Sequence, residues 1–412
     1  MAKDSGDDAA DGGPGGVAEA VRRLWPLVVP VVALAGMAAG WGRDLPGWGL
    51  TLVGLCLAGA VLSAVHHAET VAHRVGEPFG TLVLAVAVTL IEVGLIITMM
   101  VSGGSDADSL ARDTVFAAVM ITCNGVVGAA LLVGSLRYRT AVFNPEGAGA
   151  LLATVLTLAT LSLVLPRYTS SQPGPEFSGP QLAFAAITSL VLYAVFVVVQ
   201  TVRHREQFVP VRRYGGGLPG FWEVAEEPAA EPPRDRTAEP PRDRQPLPGD
   251  YEPQDHGPRP TARAARTGLA MLLVSLVAVV GLAKLVSPSL KSGVASLGLP
   301  AAVVGVVIAL LVLAPETITA VRAARRDEVQ TSLNLAYGSA VASIGLTIPV
   351  IALASVWIDG KLLLGLNATH TVLLVLTAAV GTLTVFTGRA TLLQAGVHLV
   401  LFTSFVFLAF NP

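Results

Sequence analysis

Two glutamates stand alone in long apolar runs. Glu92 lies in GTLVLAVAVTLIEVGLIITMM and Glu316 in AAVVGVVIALLVLAPETITAV. An ionisable side chain at membrane depth costs a few kcal/mol or more, so each marks a candidate site. Carboxylates bind hard cations: Ca²⁺ takes six to eight oxygens from carboxylates, carbonyls, hydroxyls and water. Further oxygens lie at suitable spacing. Thr89 is three residues before Glu92 and shares its helical face. The segment after Glu92, TVFAAVMITCNGVVGAALLVGS, carries Asn124, Gly125 and Gly128; the one after Glu316, TSLNLAYGSAVASIGLTIPVIA, carries Ser332, Gly338, Ser339, Ser343 and Gly345. Ser339 and Ser343 are four apart on one face, and the glycines allow close helix approach. Pro315 removes a helical hydrogen bond and frees a carbonyl one turn back. Cys and His are absent at ligand spacing from either glutamate, which argues against a soft-metal site.

The same pair implies proton coupling. Two carboxylates held together out of water repel and are poorly solvated, so without a cation they take up protons. Cation and proton then compete for the same oxygens. A site open to one side at a time would exchange one for the other.

The elements that must place these residues follow from hydropathy. Of 412 residues, 53% are hydrophobic and 14% charged, about half the charge of a soluble domain. A membrane-spanning helix needs about 20 apolar residues. Spans are expected near 25–41, 48–65, 80–101, 114–136, 149–165, 181–201, 266–286, 299–321, 333–357, 367–385 and 390–410. The predicted fold is an all-α polytopic membrane protein of about eleven helices: one N-terminal helix plus two inverted five-helix repeats. By segment, 1–24 is a disordered tail, 25–65 the first two apolar helices, 80–201 the first repeat, 202–265 a disordered linker and 266–412 the second repeat. An odd-numbered repeat inserts with opposite topology the second time, and such repeats place a transport site at their interface.

Lys and Arg in the loops favour a cytoplasmic N-terminus and linker, with the C-terminus outside. The linker repeats AEPPRDR at 230–236 and 238–244, and its proline content and low hydrophobicity favour disorder. Net charge is −2, which gives no basic field for nucleic acid. Cys56 and Cys123 fall in apolar runs and read as small core hydrophobes. The cluster HHAETVAHRVGEPFG at 66–80 holds His66, His67, Glu69, His73, Arg74 and Glu77; it reads either as a solvated connection or as a vestibule or pH sensor using His73 and Glu77. His370 and His398 read as packed residues. No HExxH or GxSxG pattern suggests an enzyme.

GEPFGTLVLAVAVTLIEVGLI and APETITAVRAARRDEVQTSLNLAYGSAVASIGLTIPV resemble the two alpha-repeats of the calcium/cation antiporter superfamily, and most of all its bacterial ChaA-like Ca²⁺/H⁺ antiporters. Many relatives show Gly-Asn before the first glutamate, where this chain has Val88-Thr89-Leu90-Ile91. The resemblance implies exchange of Ca²⁺, with Na⁺ or K⁺ as further candidates, for H⁺ across a bacterial-type cytoplasmic membrane. It implies Glu92 and Glu316 as cation ligands and proton carriers, supported by Thr89, Asn124, Ser339 and Ser343. Partners would be lipid and the transported cations, with no cofactor; oligomeric state is open. The alternative is an uncoupled cation channel.

Overall fold

The computed structural model describes residues 14–43, 45–76, 79–101, 107–209, 260–358 and 360–412. Among them, ten helices are long and apolar enough to cross a membrane, and Leu24–Gly40 is a shorter apolar segment. In chain order the helices are α1 (Pro14–Gly40), α2 (Gly47–Val75), α3 (Phe79–Val101), α4 (Ala107–Met120), α5 (Val127–Tyr138), α6 (Pro145–Ala159), α7 (Gly179–Val198), α8 (Ala262–Ser296), α9 (Ala302–Arg325), α10 (Val329–Ala354), α11 (Ala368–Phe386) and α12 (Leu392–Phe410). A π-helical turn, Ile121–Val126, joins α4 to α5, so the two form one span. Between α5 and α6, β1 (Ala141–Val142) pairs antiparallel with β2 (Arg389–Ala390) between α11 and α12.

Several expected boundaries move. α1 is described from Pro14, inside the segment expected as a tail. α2 and α8 each overrun their expected ends by ten residues, to Val75 and Ser296. Hydropathy falls at HHAETVAHRV and at SPSLKSGVAS, but neither stops the helix. The range 80–201 holds only four spans, against five in 266–412. The expected linker narrows at its margins, since a π turn carries α7 to Arg203 and α8 starts at Ala262; 210–259 and Glu77 lie outside the described residues.

Helix α1 shows how polar residues in α2 are used. Pro30 has no N–H to give the carbonyl of Pro26, one turn back. That carbonyl instead accepts from Ser63 Oγ (3.0 Å) and His67 Nε2 (2.8 Å) of α2. His66 meets the Trp25 ring at 5.4 Å. Two residues of the histidine cluster therefore tie α1 to α2.

The halves interlock. α2 packs along α8; α3 packs on α8 and α10; α9 packs on α4, α5 and α10. Close approach relies on glycine, as at Gly305 and Gly345. A Cβ on Gly305 would lie 2.9 Å from the Thr114 backbone nitrogen, and one on Gly345 would lie 2.8 Å from Tyr193 Cβ. Both contacts bring a second-half helix against a first-half one.

Candidate functional site

Glu92 is 13 residues after Phe79 and nine before Val101 in α3; Glu316 is 14 after Ala302 and nine before Arg325 in α9. At 1.5 Å per residue, each lies about 14 Å from the C-terminal end of its helix. α9 runs unbroken through Pro315, so Glu316 is held well inside the helix and not at its end. The carbonyl that Pro315 leaves without its N–H is that of Leu311. Thr319 Oγ1 donates to the Pro315 carbonyl at 3.0 Å, and Thr317 Oγ1 to that of Leu313 at 2.7 Å.

Glu92 is 4% exposed and meets a residue 251 positions away: Ser343 Oγ of α10 donates to its Oε1 at 2.6 Å. Ser343 is itself buried. The contact follows from the packing of α3 on α10. Hydroxyl-to-carboxylate bonds are among the stronger side-chain pairs. Glu316 is 9% exposed, and its buried Oε2 has no hydrogen-bond partner among the described residues. It lies within electrostatic reach of both Glu92 and Glu69. Glu69, half-buried on α2, is in turn within reach of His73 and Arg322. Glu316 of α9 thus feels the charge of one carboxylate on α2 and one on α3.

The remaining predicted residues divide. Thr89 is buried on α3, with its hydroxyl proton given to the Ala85 carbonyl at 2.8 Å. Ser339 is half-buried one turn before Ser343. Asn124 is fully buried in the π turn, but its amide faces α11 and α12: Nδ2 donates to Thr377 Oγ1 (2.9 Å), and Oδ1 meets His398 Nδ1 (3.2 Å). His73 is exposed at the end of α2. His370 is buried and stacks on Phe116 with centroids 4.6 Å apart. No group of three His, Cys, Asp or Glu side chains is arranged to hold a metal ion among the described residues. What the geometry offers is two buried carboxylates from opposite halves, with hydroxyl oxygens beside them.

The sodium/calcium exchanger protein model matches residues 45–202 and 267–411. The chain belongs to this family. The exchanger is 44% identical to a Sinorhizobium fredii protein named as an ionic transporter, y4hA, over 94% of this chain and 96% of that one. It is 31% identical to the sodium-potassium/proton antiporter ChaA of Escherichia coli, over 93% and 95%. The solved H⁺/Ca²⁺ exchanger CAX shares the fold at a TM-score of 0.61 and 18% identity, covering 93% of this chain and 87% of that one. The exchanger is therefore a multi-pass membrane protein of the cation antiporters, a member of the superfamily that the two motifs resemble, and the channel alternative is set aside.

Glu69 did not stand out in the sequence. It was one acid among six polar residues at the end of an apolar run. Its signal is helical spacing: if the helix runs on through 66–75, Glu69 shares a face with His66 and His73.

Proposed function

We propose that the exchanger moves Ca²⁺ outward against H⁺, with Na⁺ or K⁺ as further cargo, by alternating access at a site built on Glu92 and Glu316. The observation that carries this reading is the Ser343–Glu92 hydrogen bond, buried between α10 and α3, with the unpartnered Glu316 oxygen in electrostatic reach. A carboxylate from each half contributes to the proposed site, so motion of one half against the other would change its access. Thr89 and Ser343 have each given their hydroxyl proton to another acceptor, which leaves oxygen lone pairs for a cation. Ser339 lies one turn from Ser343 on α10, and Asn124 sits in the π turn that packs against α9 and α10. One relative of this chain is named for sodium, potassium and proton, and a solved exchanger of the same fold for H⁺ and Ca²⁺.

The proton enters by competition. The cation needs ionised carboxylates; when it leaves, two desolvated acids in mutual reach bind protons in its place. Inward proton flow then drives cation export across a bacterial-type cytoplasmic membrane. In this reading α2 joins α3–α7 as the fifth span of the first repeat, opposite α8, and the repeats are inverted. The N-terminus and the segment between α7 and α8 face the cytoplasm.

The test is cation-dependent proton movement in everted vesicles or proteoliposomes, scanned over Ca²⁺, Na⁺, K⁺ and Mg²⁺. Glu92→Gln and Glu316→Gln should each abolish exchange. Retention of Ca²⁺-dependent proton movement by both would remove the site assignment.

A further inference from the structure

Behind Asn124 lies a run of buried polar side chains that the exchange reading does not use. Thr377 Oγ1 gives its proton to the Leu373 carbonyl at 2.8 Å, so it accepts from Asn124 Nδ2. This sets the amide with Oδ1 toward His398, and His398 Nδ1 must then carry the proton that it shares with Oδ1. His398 Nε2 is left as an acceptor, filled by Thr384 Oγ1 at 3.1 Å. Asn124, Thr377, Thr384 and His398 are each 3% exposed or less. The Leu373 carbonyl thus sets the direction of these bonds, with Met120 Sδ a second acceptor 3.5 Å from Thr377 Oγ1 and the Cys123 backbone a further partner of His398.

These bonds converge on an irregular piece of backbone. Asn124 sits in the π turn Ile121–Val126, and isolated π turns inside α-helices are frequent at functional sites. α12 presses against this turn as closely as glycine permits. A Cβ on Gly125 would lie 3.2 Å from the Phe402 ring, and one on Gly128 would lie 3.1 Å from His398 Cβ. On its other sides the turn packs against α9 and α10, the helices of Glu316 and Ser343. Asn124 holds in the first half the place that Ser343 holds in the second: a polar residue on the span that follows the glutamate.

We propose that His398 is a positioning residue for cation exchange. Its Nδ1–H, acting with Thr377, fixes the Asn124 amide and the π turn against α9 and α10, and so sets how well the two glutamates receive a cation. The proposal rests on the Glu92/Glu316 reading. A hydrogen-bond partner that orients a metal-binding residue typically accounts for 10–100-fold in affinity or activity.

The test uses full-length protein in proteoliposomes, with Ca²⁺-dependent proton release followed over a Ca²⁺ series. Three variants separate positioning from packing. His398→Asn keeps an N–H donor near the Nδ1 position; His398→Gln moves the donor toward Nε2; Thr377→Val removes the other anchor of the amide. His398→Asn should keep the half-saturating Ca²⁺ concentration within about twofold of wild type. His398→Gln and Thr377→Val should raise it by about tenfold, with a smaller change in maximal rate. If His398→Gln yields no folded protein, Thr377→Val decides. Unchanged half-saturation in the folded variants, with or without a common loss of maximal rate, overturns the proposal. Failure of the underlying reading looks different: Glu92→Gln and Glu316→Gln would then keep exchanging.

Discussion

Glu92 and Glu316 occupy matching places in the two halves, yet their surroundings differ. Each is nine residues from the C-terminal end of its helix, and each is followed by a span with small and polar residues. Glu92 receives a hydroxyl from the opposite half. The polar residue at the matching place in the first half, Asn124, turns away from Glu316 to Thr377 and His398. Glu316 keeps an unpartnered oxygen and the electrostatic company of Glu69 and Glu92. Related sequence motifs thus produce one carboxylate that is pinned by a hydrogen bond and one that is left with an unpartnered oxygen facing like charges. Under the proposed exchange this difference would separate the roles: Glu92 would be the fixed ligand, and Glu316 the one whose environment changes as cation and proton trade places.

The largest effect should come from removing either charge. Glu92→Gln and Glu316→Gln are each expected to lower cation-dependent proton movement by about a hundredfold or more, because a two-carboxylate site loses half its charge. The comparison is sharpened by thermal unfolding in detergent. Glutamine at 92 relieves the one repulsion with Glu316 but weakens the Ser343 bond to a neutral one, so the midpoint should change little. Glutamine at 316 relieves repulsion with both Glu69 and Glu92 and should raise it. Equal shifts for the two variants would break the proposed division.

Next is the pH dependence. Only the ionised carboxylates take the cation, so lowering the pH fills them with protons and raises the half-saturating cation concentration. The sign is fixed: apparent affinity falls as pH falls. Each proton displaced contributes about tenfold per pH unit where the acids are mostly protonated. Wild type should approach the slope for two protons. A slope of zero over pH 6 to 8 would mean that the cation and the proton do not share these acids.

How much of this was legible beforehand depends on the reach of each signal. Glu92 and Glu316 were visible because a lone carboxylate in some twenty apolar residues is a local anomaly. Ser343 was visible as a polar residue on a small-residue face. Span number followed from hydropathy. The continuation of α2 past residue 65 was hidden because hydropathy records polar residues without asking whether a neighbour receives them. His67 is helical and buried because Pro30, 37 positions away in sequence, leaves the Pro26 carbonyl free. The direction of the Asn124 amide depends on α11 and α12, about 250 residues further on. Spacing within one helix cannot report which of two neighbouring helices a side chain will face.

A smaller effect is expected from Ser343→Ala. The hydroxyl gives Glu92 one hydrogen bond, and such bonds to charged groups contribute roughly 1.5–3 kcal/mol. Under the proposed site the same oxygen also faces the cation, and its loss weakens the bound state further. The expected outcome is about a tenfold rise in the half-saturating cation concentration in the proteoliposome assay, with the pH slope preserved. If the slope also fell to that of one proton, Ser343 would be governing the ionisation of Glu92 and not merely its position.

Thr89→Val should be smallest. Valine matches threonine in shape and removes only the oxygen. In the structure that oxygen's proton goes to the Ala85 carbonyl on the same helix, a local bond that a buried threonine makes regardless of any ligand. The hydroxyl is three residues from Glu92 on the same helical face, so under the proposed site it would lie on the pinned side. It brings a neutral oxygen where a carboxylate already binds. A change of about threefold in half-saturating cation concentration is expected, read against Thr89→Ser as the variant that keeps the oxygen. A loss as large as that of Ser343→Ala would move the centre of the site along α3 toward Thr89, and Glu92 would then share its role as fixed ligand with the turn before it.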